Sequence, residues 1–178
     1  MQKRYLILGF LVMLLCGARQ ASAVVIVDTL PEFSGEFHDA GESYPLAPMT
    51  IGTFIYDVPE GDVIDSGTLE GRFGNSQGGN TAPLDVLLND LIVAQCAPGG
   101  SSCTQLPQEA FSFNFSKIQF QYLEQKPVNL RAVQTGPGTL RLGPSTLTIQ
   151  TKPIPEPSTV LLLGMGLLSL LSRRRICP

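Results

Sequence analysis

Short apolar segments recur through the middle of the chain between Gly, Pro, Asn and Asp residues. Within them apolar and polar positions alternate with period two, the signature of strands with one buried face. The pattern predicts strands over 24–28, 50–57, 62–73, 85–88, 91–96, 111–115, 118–123, 128–134, 139–142 and 145–151. Asn89-Asp90 sits between two of these runs as a two-residue hairpin signal, because both residue types tolerate positive φ. Phe111, Phe113 and Phe115 fall on one face of their strand, with Ser112 and Asn114 on the other, so one sheet supplies a layer of aromatic core. No stretch of this region has a helical period, and no internal repeat is visible. The expected fold class is all-β, a single β-sandwich of jelly-roll type.

Both ends of the chain break this pattern. Lys3 and Arg4 precede an apolar run over 5–16, long enough to enter a translocon and short for a bilayer. The polar break at 17–20 and the small-x-small triplet Ala21-Ser22-Ala23 complete the layout of a secretory signal helix, with signal-peptidase cleavage after Ala23. Cys16 raises a lipoprotein alternative, but Leu14-Leu15 precede it and the Ala-x-Ala site lies downstream.

At the other end, Pro155, Glu156 and Pro157 are followed by an apolar run over 160–172 and then by Arg173, Arg174 and Arg175. The two prolines fix φ and remove amide donors, keeping Glu156 extended and open to a processing enzyme. The apolar run suits a helix in lipid, and the three arginines stop transfer and stay cytoplasmic. A run of that length makes about 20 Å of helix against a hydrocarbon core of about 30 Å, which suits a short transmembrane helix serving as a temporary anchor. The alternative is a short buried helix of a soluble domain, against which stands the lack of any polar position over 160–171 except Ser169.

Motif, apolar run and basic cluster in this order resemble the PEP-CTERM sorting signal of Gram-negative bacteria, the substrate of membrane transpeptidase-like exosortases. The resemblance implies that Pro155, Glu156 and Pro157 are the recognition residues and that cleavage near them releases the helix and the arginines. It implies a protein anchored in the inner membrane facing the periplasm before processing, then passed to the cell surface or beyond, with exosortase, signal peptidase and translocon as partners. It also implies an association with exopolysaccharide and biofilm. Segments 71–76, 84–96 and 133–149 resemble the bodies of uncharacterised PEP-CTERM proteins, and the strand pattern is similar to that of galactose-binding-like and carbohydrate-binding sandwiches. The chain thus divides into a signal peptide (1–23), an exported sandwich (24–151) and a sorting tail (152–178).

Charge sharpens this division. Residues from 24 to the apolar run keep six of the twelve Lys and Arg and all fifteen Asp and Glu, a net charge of −9 that argues against nucleic acid or anionic lipid as partners. Asp57, Glu60, Asp62 and Asp65 form the closest acidic cluster, in a turn region whose spacing matches no calcium loop; they read as solvated acids, and no metal or other cofactor is expected. Cys96 and Cys103, the only pair in the body, bracket a flexible six-residue loop and are expected to form a disulfide in an oxidising compartment.

Catalytic chemistry finds little support. The one histidine, His38, reads as a solvated loop residue with no nucleophile elbow to complete a triad, so the protein is expected not to be an enzyme. Paired carboxylates leave a glycoside or ester hydrolase as a distant alternative. A Gly/Asn-rich stretch over 74–80 offers Asn75, Gln77 and Asn80 as candidate glycan contacts, making a carbohydrate-binding module the nearer alternative, although the chain has no Trp to stack on sugars.

Overall fold

A computed structural model describes residues 23–75, 81–97 and 108–154. The signal helix and the transmembrane helix expected from the sequence lie outside them. Ten strands form: β1 (Val25–Leu30), β2 (Phe33–His38), β3 (Met49–Phe54), β4 (Asp62–Phe73), β5 (Leu84–Leu88), β6 (Leu91–Cys96), β7 (Glu109–Asn114), β8 (Val128–Gln134), β9 (Gly138–Leu142) and β10 (Ser145–Pro153). They make two antiparallel sheets, so the all-β expectation holds. One sheet has the order β1-β10-β4-β9-β2 with β7 also on β4, and the other β3-β8-β5-β6.

The register shows that the larger sheet is simpler than its strand count. Leu30 pairs with Ser145 and Phe33 with Leu142, so β1 and β2 form one line against β10 and β9, interrupted where Pro31-Glu32 faces Gly143-Pro144 and shifted in register again between Ser34 and Phe37. Proline cannot donate to a ladder, which is why both lines are interrupted at the same level. Leu142 likewise pairs with Phe73 while Thr146 pairs with Glu70, so β9 carries on along β4 where β10 begins. The sheet is thus four lines wide: β1–β2, β9–β10, β4, β7.

Strict alternation builds the core. The inward sides of β5, β8 and β10 place Leu84, Val86, Leu88, Val128, Leu130, Leu147 and Ile149 in a single apolar cluster with Leu69, Leu140 and Leu142, joining the two sheets face to face. Phe111 tilts against Phe73 at 5.1 Å and Phe113 meets Phe115 edge-on at 5.0 Å, the aromatic layer expected from their spacing. These rings need room on β4, and glycine supplies it. A Cβ at Gly71 would lie 2.5 Å from the Phe111 ring, and one at Gly67 2.7 Å from Leu123.

The sequence pattern misses two features. Phe33–His38 is a strand that the prolines and glycines around it conceal. The segment 118–123, expected as a strand, is instead a 3₁₀ turn (Lys117–Gln119) running into a short helix, α1 (Phe120–Glu124). The Gln119 side chain returns to accept from the Ser116 amide at 2.9 Å, while the Gln119 amide donates to the Ser116 carbonyl. That local closure outcompetes a ladder. The apparent Ile-Gln-Phe-Gln-Tyr alternation hides the spacing that matters, in which Phe120 and Leu123 turn to the core three residues apart.

Connectivity then sorts the loops between two ends of the sandwich. β3 ends and β4 begins at one end, joined by residues 55–61; β8 begins, the β5–β6 turn lies and β10 stops at that same end. We call it the near end. Cys96, Gly74, Asn75 and the residues over 81–83 lie at the far end.

Candidate functional site

The near end is where both termini leave the fold. β1 runs antiparallel to β10, so the start of one lies beside the finish of the other: the Thr151 amide donates to the Val24 carbonyl at 2.9 Å. Ala23, the last residue of the expected signal, is exposed immediately before this pair. β10 continues past Thr151, pairing Lys152 with Val63 and Pro153 with Asp62, and the Ile154 amide donates to Gly61 at 2.8 Å. Side chains reinforce the closure. Thr151 Oγ1 donates to Asp62 Oδ2 at 2.6 Å, and Lys152 Nζ meets Asp65 Oδ1 at 2.5 Å. Lys152 and Pro153, the first residues of the expected sorting tail, are therefore the end of β10, and Ile154 is held just beyond it.

The loop that receives Ile154 is itself pinned. Tyr56 is buried, and its hydroxyl donates to the Leu123 carbonyl at 2.5 Å. Burial, with Glu124 nearby, pushes the phenol well above its ordinary value. Lys126 lies over the Tyr56 ring at 5.1 Å, donates to the Tyr56 carbonyl and pairs with Asp57 at 2.6 Å. Tyr56→Phe leaves the Leu123 carbonyl without this donor and is expected to cost about 1–2 kcal/mol in denaturant unfolding, with the midpoint lowered and the slope unchanged. The pH dependence follows from the raised phenol. The unfolded chain releases the proton first, at about pH 10, so stability is full below that value and falls as pH rises through and beyond it. The Phe variant should lose less stability than the parent over that interval.

Directly beyond Ile154 comes Pro155-Glu156-Pro157, with the apolar run and arginines after it. A PEP-CTERM protein-sorting motif spans residues 153–175. A search of curated proteins found no match to the chain. The PEP-CTERM motif marks an exported protein sorted by an exosortase, anchored in a membrane and then delivered to the surface. Its match begins at Pro153, inside β10, so motif and sandwich share that residue. Pro155, Glu156, Pro157, Arg173, Arg174 and Arg175 lie outside the described residues, as does Ala21.

The other residues singled out in the sequence are spread over the body that precedes the motif. Asn75 is buried, at 5 % exposure, at the far end just after Gly74, whose φ of +85° turns the chain out of β4; little of its side chain is open to a ligand. Gln77 and Asn80 lie outside the described residues. Cys96 closes β6 fully buried, its Sγ 3.7 Å from the Ala82 carbonyl oxygen, and Cys103 lies outside the described residues. His38 is not a loop residue: it ends β2, and its Nδ1 lies 2.8 Å from Glu42 Oε2. Of the acidic cluster, Asp57, Asp62 and Asp65 have the lysine and threonine partners given above. Among the described residues no group of three His, Cys, Asp or Glu is arranged to hold a metal.

One concavity was not anticipated. An open cleft of about 540 Å³ lies on the outer face of the smaller sheet, lined by Thr50, Asn89, Asp90, Gln125, Asn129 and Arg131 among others. Its geometry follows from the β5–β6 turn. Asn89, at φ +52°, accepts from the Asn129 amide at 3.0 Å and donates to the Tyr122 carbonyl at 3.2 Å, while Asp90 pairs with Arg131 at 3.0 Å. The hairpin signal at Asn89-Asp90 was legible in sequence; its junction with Arg131, forty residues away, was not.

Proposed function

We propose that this chain is a non-enzymatic envelope or matrix protein whose jelly-roll sandwich is carried to the inner membrane by its signal peptide. There it is held by the tail, released by an exosortase acting near Glu156, and left in contact with exopolysaccharide. The observation that carries the reading is that the sorting motif begins on the last strand of the sandwich, whose Thr151 is bonded to Val24, the residue after the expected signal cleavage. The jelly-roll reading is supported by the strand order, since the chain crosses from one sheet to the other on entering β3, β4, β5, β7, β8 and β9. The deciding experiment is expression in a host with and without an exosortase, followed by the mass of the mature carboxyl terminus. The enzyme should remove Arg173, Arg174 and Arg175; their persistence on exported protein overturns the reading.

Two further results are expected. Because only Pro155 separates Glu156 from Ile154, whose amide is bonded to Gly61, inserting a six-residue Gly/Ser linker after Ile154 should speed processing several-fold in a pulse-chase experiment. An unchanged rate means that the enzyme reaches the motif without obstruction from the sandwich. The Cys96–Cys103 disulfide belongs to the same reading and is supported by the burial of Cys96 at the end of β6. Alkylation of the exported body should therefore require prior reduction.

The cleft on the smaller sheet favours a second reading, a carbohydrate-binding module. Its amides and the Arg131 guanidinium present the donors and acceptors that sugar hydroxyls require. A glycan array with the exported body separates the two: binding that Arg131→Ala abolishes would establish the second, and absence of binding to every polysaccharide would remove it.

A further inference from the structure

Six of the ten large apolar side chains exposed among the described residues belong to the start of β1, the 55–61 loop, the start of β4, the 115–127 segment or the residue after β10: Val24, Val25, Ile55, Val63, Ile118 and Ile154. Ile55 and Ile118 are the most open, at 84 % and 83 % exposure, and Ile154 is at 55 %. Isolated exposed apolar residues need no explanation, but these are grouped by covalent and hydrogen-bonded connections. Ile154 is bonded to the 55–61 loop through Gly61, that loop is bonded to the 115–127 segment through Tyr56 and Leu123, and Val24 is bonded to β10 through Thr151. The four segments therefore present their apolar side chains around the point from which the tail leaves.

The tail limits what can cover them. Residues 155–159 separate Ile154 from the apolar run that starts at Val160. Fully extended, that tether reaches at most about 20 Å. The headgroup zone on each side of a bilayer accounts for about 5–8 Å of this reach, and a prolyl segment that enters it uses up more. We infer that the near end of the sandwich rests on the membrane that holds the tail, with Ile55, Ile118 and Ile154 entering the lipid interface. This rests on the tail being membrane-inserted, as proposed above. Asp57, Glu60 and Asp62 share this end, so the fitting surface is one of zwitterionic headgroups, which take up apolar side chains without repelling the acids. Three prongs of this size give weak affinity alone, and the tail supplies the effective concentration that makes contact persistent.

The chain contains no Trp, so a single introduced Trp reports one position. Ile55→Trp and Ile118→Trp replace exposed residues at the near end, and Phe37→Trp, at 70 % exposure on β2, serves as the far-end control. Each tail-bearing chain is reconstituted into phosphatidylcholine vesicles with and without brominated acyl chains. The expected result is emission several times more strongly quenched at positions 55 and 118 than at position 37. Equal quenching at all three in chains that float with the vesicles overturns the contact while leaving tail insertion intact. Blue-shifted emission at 55 and 118 without quenching, together with concentration-dependent dimers, assigns the end to a second copy and also overturns it. Chains that do not float overturn both the contact and the anchoring on which it rests.

Discussion

A body that ends at Gly143 will not fold, whereas one that ends at Ile154 will. β10 lies between β1 and β4, so removing it takes away the ladder partner of both. It also withdraws Leu147 and Ile149, which are 1 % and 0 % exposed, from the centre of the cluster. Burial of each such side chain contributes about 1.5–3 kcal/mol, and opening the space they fill costs more; against a total stability of about 5–15 kcal/mol, the loss of these and of a nine-residue ladder leaves nothing. Far-UV circular dichroism with a thermal scan checks it: the body over 24–154 should melt cooperatively, and the body over 24–143 should show no transition. A cooperative melt from the shorter body would mean that β1 and β4 find each other without the strand between them.

Replacing Glu156 with Ala should leave the tail on the exported protein. The charge lies between two prolines that deny the backbone its usual donors, so an enzyme recognising this stretch has little besides the carboxylate to grip. An ion pair lost from a buried recognition site typically costs about 3–5 kcal/mol, or more than a hundredfold in rate. Intact mass after expression with the exosortase measures the effect. Glu156→Gln, which keeps the shape and removes the charge, tells whether charge or fit dominates. Cleavage of both variants at the parent rate would place recognition elsewhere in residues 153–175.

How much of this was legible beforehand depends on how local the cause is. β4, β6 and β8 were read from alternation with the bounds they have, because each carries its pattern in its own residues and is closed by Gly, Asn or Pro. The hairpin at Asn89-Asp90 was equally plain, its geometry being set by the one residue at positive φ. Ile118 to Leu123 was misread because alternation and a three-residue spacing coincide over so short a run, and what separates them is the bond between Ser116 and Gln119. Phe33–His38 was invisible as a strand because its reason for being extended is β9, a hundred residues downstream. The same holds for the site. The tail motif could be read letter by letter, since its chemistry is local and linear. That Ile154 is tied to Gly61, that Val24 lies against Thr151, and that the exposed isoleucines gather around them are consequences of pairing between distant segments, and no window of sequence contains them.

The placement of the last strand also fixes a timetable. During export the chain emerges from its amino terminus, and β4 crosses the membrane long before the partner that will lie beside it. The larger sheet cannot close until Ser145–Pro153 has emerged, and in the sorting proposed above the arginines then stand at the cytoplasmic face as the stop to transfer. Nothing rigid therefore stands in the pore while the chain is still threading. On that reading, completion of the fold and arrest of the tail become the same moment.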